Sequence, residues 1–315
     1  MLPISIVLGI VSYMILYLVP ELAENVEPGF SAFAKNIQPV LMAIMLFLQF
    51  NKISPHDLRF RRWHLVALAI QIVLFVLFAW VAVILPDGTG KILAECAMLC
   101  FVCPTAAAAG VVTNKLGGSL SDTVSYVVLI NVAAAFIIPL VIPLFNSSPD
   151  ATFFRSFSAI CMKIFPLLVM PLLVAWLIRY TVRPLQRWLM RYADWAFYVW
   201  GGALTFAIYL ATRALVTSGI SVWGAMLIGL VSLVCTLIQF AVGRAAGRLL
   251  AKNDDELMLD SITAGQALGQ KNSGFLIWLG YSYLTPVTSV AGGLYSVWQN
   301  LINSLELFEY GHRKK

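Results

Sequence analysis

The chain is a succession of long apolar runs, and no other feature limits its fold as severely. Cut at polar or Pro/Gly-rich joints, the runs fall near residues 3–20, 31–50, 63–85, 91–116, 119–145, 153–179, 192–213, 220–250, 256–283 and 286–307. A helix crossing a bilayer needs roughly 20 apolar residues. In hydrocarbon only helices and closed barrels satisfy their own backbone polar groups. A barrel would show alternating segments of about ten residues rather than continuous runs. Composition points the same way: the 315 residues are 60% hydrophobic and 11% charged, whereas soluble domains carry about 25% charged residues. The expectation is an all-α polytopic membrane protein with ten transmembrane helices and no sizeable water-soluble domain.

Basic residues in the joints give this scheme an orientation. Lys52, Arg59, Arg61, Arg62, Lys115, Arg179, Arg183, Arg187, Arg191, Arg244, Arg248, Lys252, Arg313, Lys314 and Lys315 fall on one side, fifteen in all, against Lys35, Lys91, Arg155 and Arg213 on the other. Lys and Arg collect on the cytoplasmic side of a membrane, so both termini are expected in the cytoplasm and the chain in the inner (plasma) membrane. The same asymmetry accounts for the net charge of +6, and nucleic-acid binding is not needed to explain it. The N-terminus has no basic stretch before its apolar run, so it reads as a retained first helix rather than a cleaved signal. Cys96, Cys100, Cys103, Cys161 and Cys235 all lie in apolar runs. The first three share a helical face with no His nearby, which fits small buried packing residues, and neither metal nor cofactor is expected.

Ten spans divide into two fives, and because five is odd a second copy would insert upside down, the inverted repeat found in many secondary transporters. The expected halves are residues 1–147 and 148–315. An internal echo supports the division: Gln71 and Gln239 each follow an Ile, and 33 residues after them stand Pro104 and Asn272. Both positions lie in interrupted runs, the fourth and the ninth. Pro104 cannot donate a backbone hydrogen bond and disfavours helix at Cys103, so the fourth helix should break and restart across Thr105 to Gly110. In the ninth, Gly265, Gly269 and Gly274 bracket Gln266, Gln270, Lys271, Asn272 and Ser273. So polar a stretch is tolerated at membrane depth only where it is buried in protein or lines a watery cavity.

An unpaired lysine inside a membrane costs on the order of 3 kcal/mol or more, which marks Lys271 as functional, a structural ion pair being the alternative. Lys163 lies nearer an interface and can snorkel. Glu95, Asp122, Asp194 and Asp260 sit near span ends and read as solvated, with Asp122 and Asp260 the best placed to line a cytoplasmic vestibule. Trp63, Tyr180, Trp188, Trp195 and Tyr281 read as interface anchors. Gln71 and Gln239 fit either a helix-to-helix hydrogen bond or a site.

The Pro-plus-small-residue break and the stretch Gly269-x-x-Asn272-Ser273-Gly274 resemble the bacterial branch of the bile acid:sodium symporter family. The resemblance covers the whole chain in layout and two segments in motif. It implies that the fourth and ninth helices unwind and cross at the membrane centre. It also implies a core of helices 3–5 and 8–10 moving against a panel of helices 1, 2, 6 and 7. The family's sodium ligands match poorly: its Ser-Asn pair falls on Ala109 and Gly110, its acidic residue on Ala267, its Gln on Lys271, and its Ser and Thr on Thr123 and Val127. Gln71 matches the family's Gln. A hard cation needs about six oxygens, and the carboxylate is gone.

The resulting expectation is not an enzyme but a secondary active transporter of a small or amphipathic organic anion, working by alternating access and not coupled to sodium. Lys271 would replace the cation, and proton coupling is open to it. Thr105, Thr113, Asn114, Gln270, Asn272 and Ser273 are the expected substrate contacts, with Lys271, Gln71 and Thr123 in coupling. A sodium-coupled bile acid-type symporter and a non-transporting ligand-binding receptor are the alternatives.

Overall fold

The computed structural model describes residues 2–106, 108–145, 152–192 and 195–313. Asp194, Lys314 and Lys315 lie outside the described residues, as does the expected 147/148 boundary between repeats.

Among the described residues the chain is all-α. The elements in order are α1 (Leu2–Leu18), α2 (Pro20–Asn25), α3 (Glu27–Phe50), α4 (Arg62–Ile84), α5 (Thr89–Val102), α6 (Ala109–Lys115), α7 (Leu120–Val141), α8 (Phe153–Leu168), α9 (Met170–Thr181), α10 (Arg183–Arg191), α11 (Ala196–Thr217), α12 (Val222–Leu250), α13 (Asp254–Gly269), α14 (Ser273–Tyr283) and α15 (Ser289–Arg313). No sheet is present among the described residues, and the one β-type pairing is an isolated antiparallel bridge between Thr105 and Lys271.

The ten-span expectation does not hold. Among the described residues, five helical segments are long and apolar enough to cross a membrane: Glu27–Phe50, Arg62–Ile84, Leu120–Phe145, Tyr198–Thr217 and Val222–Leu250. A sixth results if α8 and α9, bent by 42° at their junction, form one span. The physical reason is that apolar content over a window does not guarantee one unbroken helix of about 20 residues. The fourth run splits into helices of 14 and 7 residues, and the ninth into helices of 16 and 11. The tenth corresponds to α15, in which buried Ser296, Gln299 and Asn303 dilute the hydropathy. α1 stops at 17 residues. The pair of inverted five-helix repeats, which rested on the count of ten, falls with it.

Serine caps fix two helix starts. The Ser119 hydroxyl accepts from the Asp122 amide (3.2 Å) at the start of α7, and Ser221 accepts from Gly224 (3.0 Å) at the start of α12, satisfying amides that have no intrahelical partner. The core is a large apolar cluster that includes Met42, Leu46, Phe101, Val127, Ile164, Phe275 and Leu279. α11 packs against α1 and α3, and α3 against α9. α12 packs against α13, α15 and α5, while α14 packs against α15, α3 and α11. Close approach of α12 to α13 depends on two glycines. A Cβ on Gly243 would run into the Ala264 carbonyl, and one on Gly247 into that of Asp260. Small residues of this kind let membrane helices pack backbone to backbone.

Charged networks tie separate elements, and in one of them Arg244 of α12 and Gln266 of α13 both hold Glu306 of α15. Arg61 pairs through Nε with Asp122 of α7 (3.1 Å) and through Nη1 with Glu256 of α13 (2.7 Å). Arg213 of α11 pairs with Glu27 of α3 (2.6 Å) and donates to the Tyr281 hydroxyl of α14 (2.7 Å). Asp122, Asp260 and Glu95 are buried rather than solvated, Asp122 because Arg61 reaches it and Glu95 because it accepts from the Thr285 amide (3.3 Å). Trp63 is likewise buried, packed against His64 and Tyr126, and is not an interface anchor. Tyr180, Trp188 and Trp195 are exposed.

Candidate functional site

The two interrupted runs meet. α5 ends at Val102 and the chain turns extended at Cys103 (φ −57°, ψ 129°), as the following Pro104 favours. α13 ends at Gly269 and the chain turns extended at Gln270 (φ −85°, ψ 119°). The two extended stretches run antiparallel: the Asn272 amide donates to the Pro104 carbonyl (2.8 Å) and the Ala106 amide to the Gln270 carbonyl (3.0 Å). Pro104, with no N–H, contributes its carbonyl to this pairing.

Backbone groups freed by the breaks are taken up by side chains from surrounding helices. The Gln71 Nε2 of α4 donates to the Cys103 carbonyl (3.2 Å), and Gln71 is itself held by the Tyr126 hydroxyl (2.9 Å). The Gln239 Nε2 of α12 donates to the Cys100 carbonyl (3.2 Å) and the Tyr295 hydroxyl (3.0 Å), and that hydroxyl donates to the Gly269 carbonyl (2.8 Å). Gln71 and Gln239, paired by spacing in the sequence, thus do the same work on one broken helix from two sides. The Thr105 hydroxyl donates to the Ala267 carbonyl (2.6 Å), and the Cys103 thiol to the Asn272 carbonyl (3.0 Å). Asn272 caps α14 by accepting from the Phe275 amide (3.3 Å).

Lys271 sits in the middle of this pairing. Its amide donates to the Gln299 Oε1 (2.7 Å) and its carbonyl accepts from the Gln299 Nε2 (3.2 Å), so α15 fixes its backbone on both sides. The side chain is 0% exposed, and its ammonium has no hydrogen-bond partner among the described residues. The titratable groups nearest to it are the thiols of Cys103 and Cys100, uncharged when protonated, rather than carboxylates. Lys271 also lies just beyond the C-terminus of α13, where helix carbonyls favour a positive charge. An ammonium offers three donors and no acceptor, so it is equipped to hold an anion.

The expected contacts divide. Thr105, Gln270, Asn272 and Ser273 are buried around Lys271, with the Gln270 side chain hydrogen-bonded to Gln266 and the Ser273 amide to the Lys271 carbonyl (2.9 Å). Thr113 is buried on α6, its hydroxyl turned back to the Ala109 carbonyl (2.8 Å), and Asn114 beside it is exposed. Thr123 lies in the first turn of α7, donating to Ser119 (2.9 Å). None of these three is hydrogen-bonded to the crossing. Lys163 is exposed, with its Nζ 5.9 Å from the Tyr283 ring centroid. Gln299, Tyr295 and Tyr126 were not foreseen. The signal for Gln299 was readable, since Ser296, Gln299 and Asn303 follow helical spacing and line one buried face of α15.

Among the described residues no group of three or more His, Cys, Asp or Glu is placed to hold a metal ion. Long apolar helices surround a paired break with a buried lysine at its centre, and together they describe a membrane-embedded, transporter-like protein. The chain matches the family model of the SBF-like CPA transporter family (DUF4137) over residues 5–263, and it belongs to that family. It is a transport protein and not an enzyme. The resemblance to the bile acid:sodium symporter family is corrected by this match, since the family shown is the CPA-type one and not specifically that of the bile acid symporters. The motif that carried the resemblance, a short Gly- and Asn-containing stretch around a break, is too brief to separate related carrier families. No curated protein matches the chain.

Proposed function

We propose that the protein is a secondary active transporter of a small or amphipathic organic anion, with its site at the paired breaks and with Lys271 supplying the positive charge. The observation that carries this reading is the buried ammonium with no partner among the described residues, set where the surrounding carbonyls are already hydrogen-bonded. Thr105, Gln270, Asn272 and Ser273 supply polar contacts around it, while Thr113 and Asn114, further along α6, are assigned to the route by which a substrate approaches. Because Lys271 is enclosed on all sides, a substrate reaches it only when helices move, which fits alternating access. Gln71 holds the break in shape, and Thr123 belongs to the start of α7. We place the protein in the plasma membrane with the basic run Arg179, Arg183, Arg187 and Arg191 on the cytoplasmic side.

On this reading transport is not coupled to sodium, because a hard cation needs several oxygens and a compensating carboxylate. Lysine in such a setting is a group able to load and release a proton. A second reading, a sodium-coupled bile acid-type symporter, draws on the family match, which sets the chain among SBF-like carriers. Uptake of organic anions into vesicles, with sodium replaced by potassium and with or without a pH gradient, separates the two. Sodium-independent uptake lost in Lys271→Gln supports the first reading, and strict sodium dependence overturns it in favour of the second.

A further inference from the structure

Helix α10 stands apart from the bundle. None of its residues is buried, yet it is joined to α9 through the single residue Val182 and is followed closely by α11. Its sequence, RPLQRWLMR, divides cleanly around the helix. At about 100° per residue, Arg183, Arg187 and Arg191 fall within one quarter of the circumference. Leu185, Trp188, Leu189 and the adjoining Tyr192 fall on the far side. Leu185, Trp188 and Tyr192 are exposed, as are the three arginines. No acidic residue lies between Phe153 and Arg191, so the arginines meet no acidic partner from the helix or from the two helices that lead into it. An exposed apolar face of this kind is unfavourable in water, and in sequence α10 follows α9 after one residue and precedes α11 by four.

We infer that α10 lies in the plane of the membrane surface and binds anionic phospholipid headgroups through Arg183, Arg187 and Arg191, with Leu185, Trp188, Leu189 and Tyr192 sunk among the acyl chains. The occupant follows from charge and tether together. An amphipathic helix with a basic face and a Trp/Leu face settles at the headgroup boundary, and guanidinium groups pair well with phosphate. Each basic residue near an anionic surface adds roughly fivefold to binding, so three together favour anionic over zwitterionic lipid by on the order of a hundredfold at low salt. Anionic lipid held there would anchor the joint between α9 and α11, independently of whatever binds at Lys271.

The purified full-length protein, reconstituted with brominated phosphatidylglycerol or brominated phosphatidylcholine as a minor component, tests this. The Trp188 contribution is obtained by subtracting the quenching seen in Trp188→Phe. The expected result is strong quenching of Trp188 by brominated phosphatidylglycerol at low abundance, with severalfold weaker quenching by brominated phosphatidylcholine. That preference should disappear in Arg183→Gln/Arg187→Gln/Arg191→Gln and shrink in high salt, while residual quenching by both lipids remains. Equal quenching by the two lipids in the parent overturns the anionic preference. Absence of Trp188 quenching by either overturns the placement on the membrane and leaves the helix as a surface for a soluble partner.

Discussion

Replacing Lys271 with Met should make the protein more stable while abolishing anion binding. Met approximates the length of the lysine stem and removes only the charged end. The backbone of residue 271 is held by two hydrogen bonds to Gln299, neither of which depends on the side chain, so the pairing of the two breaks survives. The neighbouring Cys100 and Cys103 give the thioether soft, adaptable surroundings. What changes is the cost of an ammonium buried with no partner among the described residues. An unpaired charge at this depth costs about 3 kcal/mol or more, reduced in practice by local water and relaxation. The expected gain is therefore roughly 1 to 3 kcal/mol. Chemical or thermal unfolding of the detergent-purified protein, followed by tryptophan fluorescence, measures it. A loss of about 1 kcal/mol or more in the Met variant would refute the reasoning, because it would mean that Lys271 is a paired structural cation rather than a charge held ready for a ligand.

Four further substitutions probe the rest of the bundle. Gln299→Leu strips both partners from the Lys271 backbone and should destabilise by on the order of 2 kcal/mol, weakening anion binding as well, measured by unfolding and thermal shift together. Arg61→Gln leaves buried Asp122 without its ion pair. Because Arg61 is partly exposed the loss should be nearer 1 than 3 kcal/mol, and Arg61→Gln/Asp122→Asn should restore most of it in a double-mutant cycle. Gly247→Val, whose Cβ would meet the Asp260 carbonyl, should cost about 1 to 3 kcal/mol. Gly29→Ala, with open space around it, should be neutral or slightly stabilising, read by the same unfolding assay.

The sequence carried the breaks because their causes are local. Pro104 disrupts helix wherever it stands, and Gln270 to Ser273 are too polar to face lipid. The burial of Lys271 followed from the same reasoning. The number of spans was not legible in the same way. Counting apolar runs joins α5 and α6 into one span although the foreseen break leaves each too short to cross a bilayer, and it misses the inward polar stripe of α15. Acidic residues near run ends read as solvated because their partners are remote in sequence: Arg61 for Asp122, and the Thr285 amide for Glu95. Trp63 was misread for a related reason, since proximity to an interface does not say which way a helix face turns, and here it turns towards Tyr126. Gln71 and Gln239 were visible as an echo in spacing, but only the fold reveals that each holds a carbonyl of the same broken helix.

The central claim is that the ammonium of Lys271 forms the charge of an anion-binding site. Its most direct test is a thermal-shift screen of organic anions on the purified protein, run in parallel on Lys271→Gln in buffers free of sodium. The account predicts that some anions stabilise the parent without sodium and that the same anions leave the variant unmoved. Equal stabilisation of parent and variant, or stabilisation of the parent only when sodium is added, would contradict it.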